Sequence, residues 1–317
     1  MRNVTTSQMI NGIPLWQSSE WESFQKKLGR KTYTLHHQTA HALLIQHKLP
    51  LGKSYISCPR GPLWEKEADL EAILQQMAIL ANKEGAIYIN LDPENALTSD
   101  TSTKPSGSHQ PLKTLLLDLT LSEADLLAQM KPKGRYNIKV AEKHAVDVRV
   151  INKKDSDALS GGISEFNKLL TQTTERNGFS AHDEAYYHTM VSALPSAELL
   201  IASQGGNTVS AGIFCFRKEE AIYYYGASSN THRNTMAAYK LQWESIKEAK
   251  KRGCTTYDFL GISSTNAPED PWAGITEFKR KFGGLERTFP QPMDMVISPI
   301  WYIIIRGVKW LQRKIKK

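Results

Sequence analysis

The sequence predicts an α/β protein with mixed sheets, built as two tandem copies of one fold. Residues 221–262 follow the order strand, loop, helix, strand, and residues 55–91 repeat that order. Tyr55 and Tyr223 begin comparable strands 168 positions apart (223 − 55), and Gly85 and Gly253 end comparable helices at the same separation (253 − 85). A unit that recurs in one register indicates a duplicated fold, with a chance match of spacing as the alternative.

The unit at residues 221–262 carries the clearest signals. An aromatic run at 221–225 is typical of a strand, and the small residues at 226–230 suit a turn. The next segment predicts an amphipathic helix that Gly253 closes, because its apolar residues recur at steps of three and four. Those residues are Met236, Tyr239, Trp243, Ile246 and Ala249. Residues 254–260 then form a buried strand.

The other elements follow from the same patterns, taken along the chain. Helices are predicted at residues 16–28, 65–84, 122–130, 135–143 and 163–177, the third of them capped by Ser122. Strands are predicted at residues 31–36, 41–47, 55–59, 86–91, 113–120, 146–151, 198–203 and 209–217. Residues 93–111 are rich in proline, serine and threonine and carry no apolar period, which predicts a mobile loop.

Three domains or segments are expected from this organisation. Residues 1–130 form the first domain, including the mobile loop, and residues 131–290 form the second. Residues 291–317 form a basic amphipathic helix at the C-terminus, which packs back on the first domain or lies on a membrane.

The net charge of +8 is concentrated at the C-terminus. Six cations and no acidic residue follow Asp294, so the rest of the chain carries about +2 (8 − 6). The apolar run in this segment is interrupted by Arg306 and is too short to span a bilayer, which needs about 20 apolar residues. A helix on an anionic membrane surface and a helix docked on the body with a solvated basic tail both fit this composition.

The composition excludes several classes of protein. Cys58, Cys215 and Cys254 are too few and too scattered for a disulfide framework or a zinc site, and they fit a reducing cytoplasm. The N-terminus has no apolar region of the kind that secretory signals contain, so we expect a cytoplasmic protein. No metal and no bound cofactor are expected.

Two stretches carry cations in a pattern that suits chemistry. Residues 131–145 are strongly basic, and Arg135 beside Tyr136 at a helix start suits a phosphate or sugar contact, whereas a solvated helix face is the alternative. Lys279 lies between Phe278 and Phe282. This pattern predicts either a strand edge or a lysine held for an anionic intermediate.

The strand, loop, helix and strand at 221–262 resemble the central part of a GNAT (N-acetyltransferase-like) domain. Such domains bind the phosphates of an acyl donor at a glycine-rich loop, which here falls at residues 231–237 and contains no glycine. Without glycine a close backbone approach to a diphosphate is disfavoured, so coenzyme A is a weak prediction.

Four stretches in order resemble the FemABX family, whose members transfer amino acids from aminoacyl-tRNA to the stem peptide of peptidoglycan precursors. They are LLLDLTLSEADLLAQMKPKGRYNIKVAEKHAV, TTERNGF, the stretch from YYYGASSN to TTYDFLGI, and FKRKFGG. The resemblance implies two tandem GNAT-like domains, aminoacyl-tRNA as co-substrate, and a UDP-linked or lipid-linked muramyl peptide as acceptor. No coiled-coil arm is present, so the chain resembles the compact, arm-free type, expected as a monomer.

The resemblance also implies roles for individual residues. Phe278 and Lys279 match a family Phe-Lys pair whose lysine assists aminoacyl transfer. His182 and Tyr186 fall where some members bind the diphosphate of the precursor with arginine and tyrosine.

Three further positions complete the implied site. Tyr225 lies near a substrate-contacting tyrosine, and Asp92 resembles a catalytic acidic residue near the acceptor, although a turn role before Pro93 is the alternative. Arg233, at the centre of the glycine-free segment, is predicted to contact a tRNA end or a peptide stem.

Two other functions remain open on the sequence alone. A GNAT-type N-acyltransferase that uses coenzyme A would have the same fold. A non-catalytic protein that binds tRNA or membrane would need the basic tail and not Lys279. Under the aminoacyltransferase hypothesis, the Lys279 ammonium stabilises the oxyanion that forms when an amine attacks the aminoacyl ester.

Overall fold

The computed structural model describes residues 12–97, 103–107, 110–177, 180–265, 267 and 269–315, with backbone alone for 103, 104, 177 and 309–315. The described chain divides into two compact units. Residues 13–112 and 289–317 form the first unit, and residues 113–288 with Gly12 form the second. The chain therefore divides at residue 112 and not at 130, because the strand at Lys113–Asp118 pairs inside the sheet of the second unit.

The strands in chain order are β1 (Thr32–His37), β2 (Ala40–Lys48), β3 (Ser54–Pro59), β4 (Ala86–Asp92), β5 (Thr103–Pro105), β6 (Lys113–Asp118), β7 (Asp147–Val150), β8 (Ala197–Gln204), β9 (Asn207–Phe216), β10 (Glu220–Ser228), β11 (Thr256–Gly261), β12 (Leu285–Thr288) and β13 (Met293–Val296). The helices are α1 (Ser19–Lys27), α2 (Glu67–Lys83), α3 (Glu123–Gln129), α4 (Pro132–Lys143), α5 (Ser156–Asn177), α6 (Glu184–Ala193), α7 (Ala237–Lys251), α8 (Ala273–Arg280) and α9 (Pro299–Ile315). The predicted α/β class with mixed sheets is confirmed.

The first unit contains a six-stranded sheet in the order β1-β2-β3-β4-β13-β5. Strands β3 and β4 are parallel, and all other described pairs in this sheet are antiparallel. Helix α2 connects the parallel strands and buries Leu70, Ile73 and Met77 against one face of the sheet. Helix α9 buries Tyr302 and Ile305 in a separate cluster with Ile87 and Tyr88, so the C-terminal helix packs back on the first unit.

The second unit contains a seven-stranded sheet in the order β12-β6-β11-β10-β9-β8-β7. Its only parallel pair among the described strands is β10 with β11, which α7 connects. The apolar stripe of α7 is buried as its period predicts, with Tyr239, Trp243 and Ile246 in the main cluster of this unit.

The two units repeat one supersecondary arrangement. In both, an antiparallel hairpin leads into a parallel strand-helix-strand unit, namely β3-α2-β4 and β10-α7-β11. Gly85 and Gly253 follow the two helices with φ of 66° and 85°, and each amide donates to the carbonyl three residues earlier, at 3.1 and 2.9 Å. The left-handed conformation explains why glycine stands at both positions.

The chain exchanges strands between the two halves of its sequence. Strand β6 follows β5 along the chain but pairs with β11 and β12, whereas β13 follows β12 but pairs with β4 and β5. The described part of the predicted mobile loop contains β5, and the predicted C-terminal helix is preceded by β13. Both short strands were missed because three or four residues give no readable alternation.

Further elements differ from the sequence prediction, because α5 begins at Ser156 and not at residue 163, and neither α6 nor β12 was predicted. Strand β10 continues to Ser228, where a turn was predicted from residue 226, and residues 273–280 form a helix instead of a strand edge. None of the helices in the described ranges is long and apolar enough to cross a membrane.

Candidate active site

Lys279 lies on the buried side of α8 in the second unit. Phe278, which precedes it, packs edge-on against Tyr239 at 5.0 Å, and Phe282 stacks near the same ring at 5.9 Å. These rings hold the helix on the core, and the lysine side chain is only 6% exposed. Its Nζ donates a hydrogen bond to the carbonyl oxygen of Gly261 at 2.6 Å.

A bulge in strand β11 directs the Gly261 carbonyl toward the lysine. The pairing of β11 with β6 shifts register between Asp258 and Gly261, and Leu260 between them has a φ of 55°. Such a bulge re-aims backbone groups and is common next to active sites. Asp258 stabilises the bulge by accepting hydrogen bonds from the Leu260 amide at 2.7 Å and from the Thr114 hydroxyl.

The surroundings of Lys279 disfavour its charged form. Burial lowers the pKa of Lys279 to about 7, and the negative charge of Asp258 opposes this shift. The ring of Tyr223 lies 5.7 Å from the lysine Nζ and gives further weak support to the ammonium form. The side chain can therefore exchange a proton near neutral pH while remaining a hydrogen-bond donor.

His182, Tyr186 and Tyr225 form an aromatic cluster, so three predicted substrate-binding residues lie together. His182 stacks on Tyr186 with centroids 3.9 Å apart, and Tyr225 lies 6.5 Å from both rings in edge-on orientation. Asp183 fixes the start of α6 by accepting from the Tyr186 amide at 2.8 Å. Tyr187 completes the cluster, with its hydroxyl accepting from the His182 amide at 3.0 Å.

The cluster combines exposed and buried groups. His182 is exposed, whereas Tyr186 and Tyr225 are half-buried. Burial raises the pKa of the Tyr225 hydroxyl, with neighbouring tyrosines contributing to the shift, so this group stays a neutral donor. A surface of this kind can stack on a planar or sugar ring and donate hydrogen bonds to it.

Arg233 and Arg135 occupy different surroundings. Arg233 is exposed in the short 3₁₀ turn at Arg233–Thr235. Burial lowers the pKa of Arg176, and the nearby charge of Arg233 lowers it further. Arg135 instead turns back on α3, where its Nη1 donates to the carbonyls of Leu127 and Ala128, both at 3.3 Å, and to that of Met130. This guanidinium caps the helix end, which differs from the predicted substrate contact.

Asp92 belongs to the first unit, where it ends β4. Its carboxylate is 1% exposed and lies 3.5 Å from Nη1 of Arg60, which is equally buried. Burial raises the pKa of Asp92 to about 6, and the charge of Arg60 opposes that shift. The Arg60 guanidinium also lies 3.5 Å from the Phe289 ring centroid and donates to the Pro111 carbonyl at 2.6 Å. The structure thus gives Asp92 an ion pair, and its catalytic role stays a prediction.

Sequence profiles identify the family of this chain. The profile of the FemAB family matches residues 101–204 and 195–309, which is more than half of the 317 residues. The chain belongs to the FemAB family. The predicted family is therefore confirmed.

Individual relatives of this FemAB family member agree with that assignment. The lipid II:glycine glycyltransferase of Staphylococcus haemolyticus is 21% identical, with 83% of this chain and 81% of the relative covered. The enzyme of that name from Staphylococcus saprophyticus is 22% identical, with 85% of both chains covered. Like these relatives, the FemAB family member described here is an aminoacyltransferase.

Solved structures support the fold of the family member. The crystal structure of FemX matches 92% of this chain and 94% of its own, with a TM-score of 0.78 and 20% identity. The C-terminal domain of a putative lysylphosphatidylglycerol synthetase from Agrobacterium fabrum matches 92% of both chains, with a TM-score of 0.59 and 13% identity. At such identities the likeness concerns the fold alone.

Several neighbours of the predicted site residues, in each of the two units, were missed by the sequence prediction. Tyr223 and Asp258 flank Lys279, Tyr187 completes the aromatic cluster, and Arg60 pairs with Asp92. The burial of Arg60 could not be predicted, because a single arginine between prolines and glycine gives no signal of burial. The run of tyrosines at 223–225 was visible, but the side of the sheet that each ring faces was not.

Proposed function

We propose that this protein transfers an amino acid from aminoacyl-tRNA to an amine on the stem peptide of a lipid-linked peptidoglycan precursor. The observation that carries the proposal is Lys279, a buried lysine on α8 at the position of the family Phe-Lys pair. The names of the relatives support a lipid-linked acceptor, because they are called lipid II:glycine glycyltransferases.

The chemistry requires alignment and charge stabilisation more than activation. The amine nitrogen attacks the carbonyl carbon of the aminoacyl ester and forms a new C–N bond. The ester C–O bond then breaks, the tRNA ribose leaves as a hydroxyl group, and the attacking amine loses one proton. One preorganised donor at the developing oxyanion contributes about 3 to 4 kcal/mol in comparable acyl transfers.

Lys279 is suited to be that donor. Its ammonium has three N–H groups, and the Gly261 carbonyl accepts one of them at 2.6 Å. The low exposure of the side chain strengthens its interaction with an oxyanion, because water does not screen a buried charge.

The aromatic cluster of His182, Tyr186 and Tyr225 is suited to bind the acceptor. His182 supplies ring nitrogens that can contact a diphosphate, and the two tyrosines supply ring faces and hydroxyl donors. Arg233 lies in the segment that connects β10 to α7 and is assigned to the tRNA end or the peptide stem. In this assignment no cofactor takes part.

A lipid-linked acceptor requires the enzyme to work at a membrane surface, and α9 is suited to that task. Ile300 and Ile303 on this helix are 73% and 68% exposed, while Tyr302 and Ile305 on the opposite side are buried. We assign α9 to an anionic membrane surface on the cytoplasmic side, where the basic sequence after residue 308 complements the lipid charge.

Single-turnover transfer tests the proposal. The protein is incubated with a pool of charged tRNAs and with UDP-linked or lipid-linked muramyl peptides, and the product masses are read. The expected product is a precursor one amino acid heavier, formed with the lipid-linked acceptor. Lys279→Ala should slow formation on the order of 100-fold, whereas Lys168→Ala, an exposed lysine on α5, should leave it unchanged. Normal transfer by Lys279→Ala, or acyl transfer from acetyl-coenzyme A in place of tRNA, would refute the proposal.

A further inference from the structure

Helix α4 presents a row of exposed side chains that the fold itself does not use. Lys133, Tyr136, Lys139 and Lys143 follow one another at steps of three and four and are all exposed, which places them on one outward side of the helix. We call these four residues the α4 stripe. Tyr136 is 64% exposed, which is unusual for an aromatic side chain between lysines.

The remaining residues of α4 account for its packing. Asn137, Ile138 and Ala141 are buried on the opposite side, and Arg135 caps α3. Glu142, the one acidic residue of the helix, pairs with Lys240 of α7 at 3.1 Å. No ion pair found among the described residues involves a lysine of the stripe. Lys133 lies close enough to Glu277 to help Lys281 lower the pKa of that carboxyl, and all three lysines of the stripe remain exposed to a partner.

The stripe begins beside the helix that carries Lys279. The Lys131 amide donates to the Lys281 carbonyl at 3.0 Å, so the first turn of α4 lies against the residue two positions after Lys279. The approach is close, because a Cβ on Gly134 would lie 2.6 Å from that carbonyl oxygen. A molecule that lies along α4 is thus led toward α8.

We propose that the α4 stripe binds the sugar-phosphate backbone of the RNA that delivers the amino acid, an inference that rests on the proposed function. From Lys133 to Lys143 the stripe spans about 15 Å along the helix, the length of two or three nucleotides. Lysines neutralise phosphates without reading sequence, which suits an enzyme that must hold the backbone and not a base pattern. Tyr136 offers its ring to a ribose or an unpaired base.

The composition of the stripe favours RNA over a membrane. A helix that lies on a lipid surface needs an apolar side to insert, as α9 has with Ile300 and Ile303. The α4 stripe has three cations and a single aromatic ring, whereas Ile138 and Ala141 of the same helix are buried in the core. Cations interleaved with an aromatic ring are typical of surfaces that follow a single-stranded or terminal segment of nucleic acid.

The experiment compares two triple variants of the full-length chain. Lys133→Gln, Lys139→Gln and Lys143→Gln are combined in the first. Lys154→Gln, Lys168→Gln and Lys218→Gln, three exposed lysines of the same unit, are combined in the matched control. Binding of uncharged tRNA is measured by fluorescence anisotropy over a series of salt concentrations.

The stripe variant should bind tRNA on the order of 10- to 100-fold more weakly, and the slope of log affinity against log salt should fall by about 2. The control variant should match the unmodified protein. Tyr136→Ala should weaken binding several-fold and leave the salt slope unchanged, because it removes stacking and no charge.

Other results separate failure of this inference from failure of the proposed function. If the unmodified protein transfers from aminoacyl-tRNA and both triple variants bind tRNA equally, the RNA-binding role of the α4 stripe is refuted and the proposed function is retained. If the unmodified protein does not bind tRNA, both fail. If the stripe variant loses binding to vesicles of phosphatidylglycerol and keeps tRNA affinity, the partner is a membrane and the inference is overturned.

Discussion

Tyr223 and Tyr225 are two residues apart on β10 and yet face opposite sides of the sheet. Tyr223 pairs with Phe214 and Tyr225 with Ile213, adjacent residues of β9 that alternate between the two faces. A bulge at Tyr224 causes this reversal. The Tyr223 ring therefore lies near Lys279, and the Tyr225 ring lies in the cluster with His182. A single bulge thus supplies one tyrosine to each of these two groups of predicted site residues.

The first prediction concerns the glycine that accommodates Tyr223. A Cβ at residue 226 would lie 1.6 Å from the Tyr223 hydroxyl, so Gly226→Ala must displace the ring that faces Lys279. We expect transfer to slow and the fold to lose about 1 to 3 kcal/mol, measured by denaturant unfolding. Gly161→Ala is the control, because nothing lies within 4 Å of a Cβ there and alanine favours the helix. Equal stability of the two variants would contradict the prediction.

The second prediction is that Lys279→Met stabilises the protein while slowing transfer on the order of 100-fold. The pKa of Lys279 is about 7 in the folded state, against 10.5 for an unperturbed lysine, so folding at neutral pH or below requires burying a charge or losing a proton. The loss of folding stability caused by burying Lys279 has its full size below pH 7 and falls to zero as pH rises toward 10.5. We expect the free energy of unfolding of Lys279→Met to exceed that of the unmodified protein by roughly 1 to 2 kcal/mol at pH 6. Each kcal/mol should raise Tm by about 2 to 4 °C. A gain that is as large at pH 10 would refute this explanation.

The third prediction concerns the pH dependence of transfer. Lys279 acts as an ammonium in the proposed mechanism, and its pKa of about 7 means that this form is lost as pH rises through 7. Arginine stays charged over the whole range. The ratio of the single-turnover rates of the unmodified protein and Lys279→Arg should therefore fall between pH 6 and 8. A ratio that is independent of pH would show that the charge of Lys279 is not required.

The fourth prediction concerns the buried pair of Arg60 and Asp92. Removing the carboxylate in Asp92→Ala leaves the guanidinium of Arg60 buried without that counter-charge. We expect a loss of about 3 to 5 kcal/mol in unfolding free energy. The double variant Arg60→Met, Asp92→Leu should recover most of it, because it removes both charges. If the double variant regains stability and also full transfer, Asp92 has a structural role and no catalytic one.

The fifth prediction is that His182→Arg binds the acceptor more tightly. His182 stacks on Tyr186 at the position where some family members carry an arginine, and a guanidinium binds phosphate oxygens in pairs at any pH. The KM for the lipid-linked acceptor at pH 8 should fall several-fold, while kcat changes little. His182→Gln serves as the uncharged control. A KM that rises in His182→Arg would place the diphosphate elsewhere.

The repeat and the long elements were predictable from sequence because they depend on local pattern. The spacing of Tyr55 and Tyr223, and of Gly85 and Gly253, is enough to locate both parallel strand-helix-strand units. Apolar periodicity reports which side of a helix is buried, and glycine reports where a helix must end.

The remaining features depend on contacts that local pattern does not contain. The pairing of β13 with β4 joins residues more than 200 positions apart. The burial of Arg60 depends on Phe289 and Asp92, and the cap that Arg135 forms on α3 depends on the turn between two helices. The three predicted members of the aromatic cluster were located by resemblance, whereas Tyr187 joins them only through the fold of α6 against β10.

The exchange of β6 and β13 determines the order in which the two sheets can be completed during translation. Residues 13–112 are synthesised before residues 113–288, but their sheet lacks β13 and the covering helix α9 until residues 289–315 have been made. All described strands of the second unit have been made once residue 288 has been added. The second unit can therefore complete its sheet before the first unit does, and the edge of β4 stays unpaired until β13 has been synthesised.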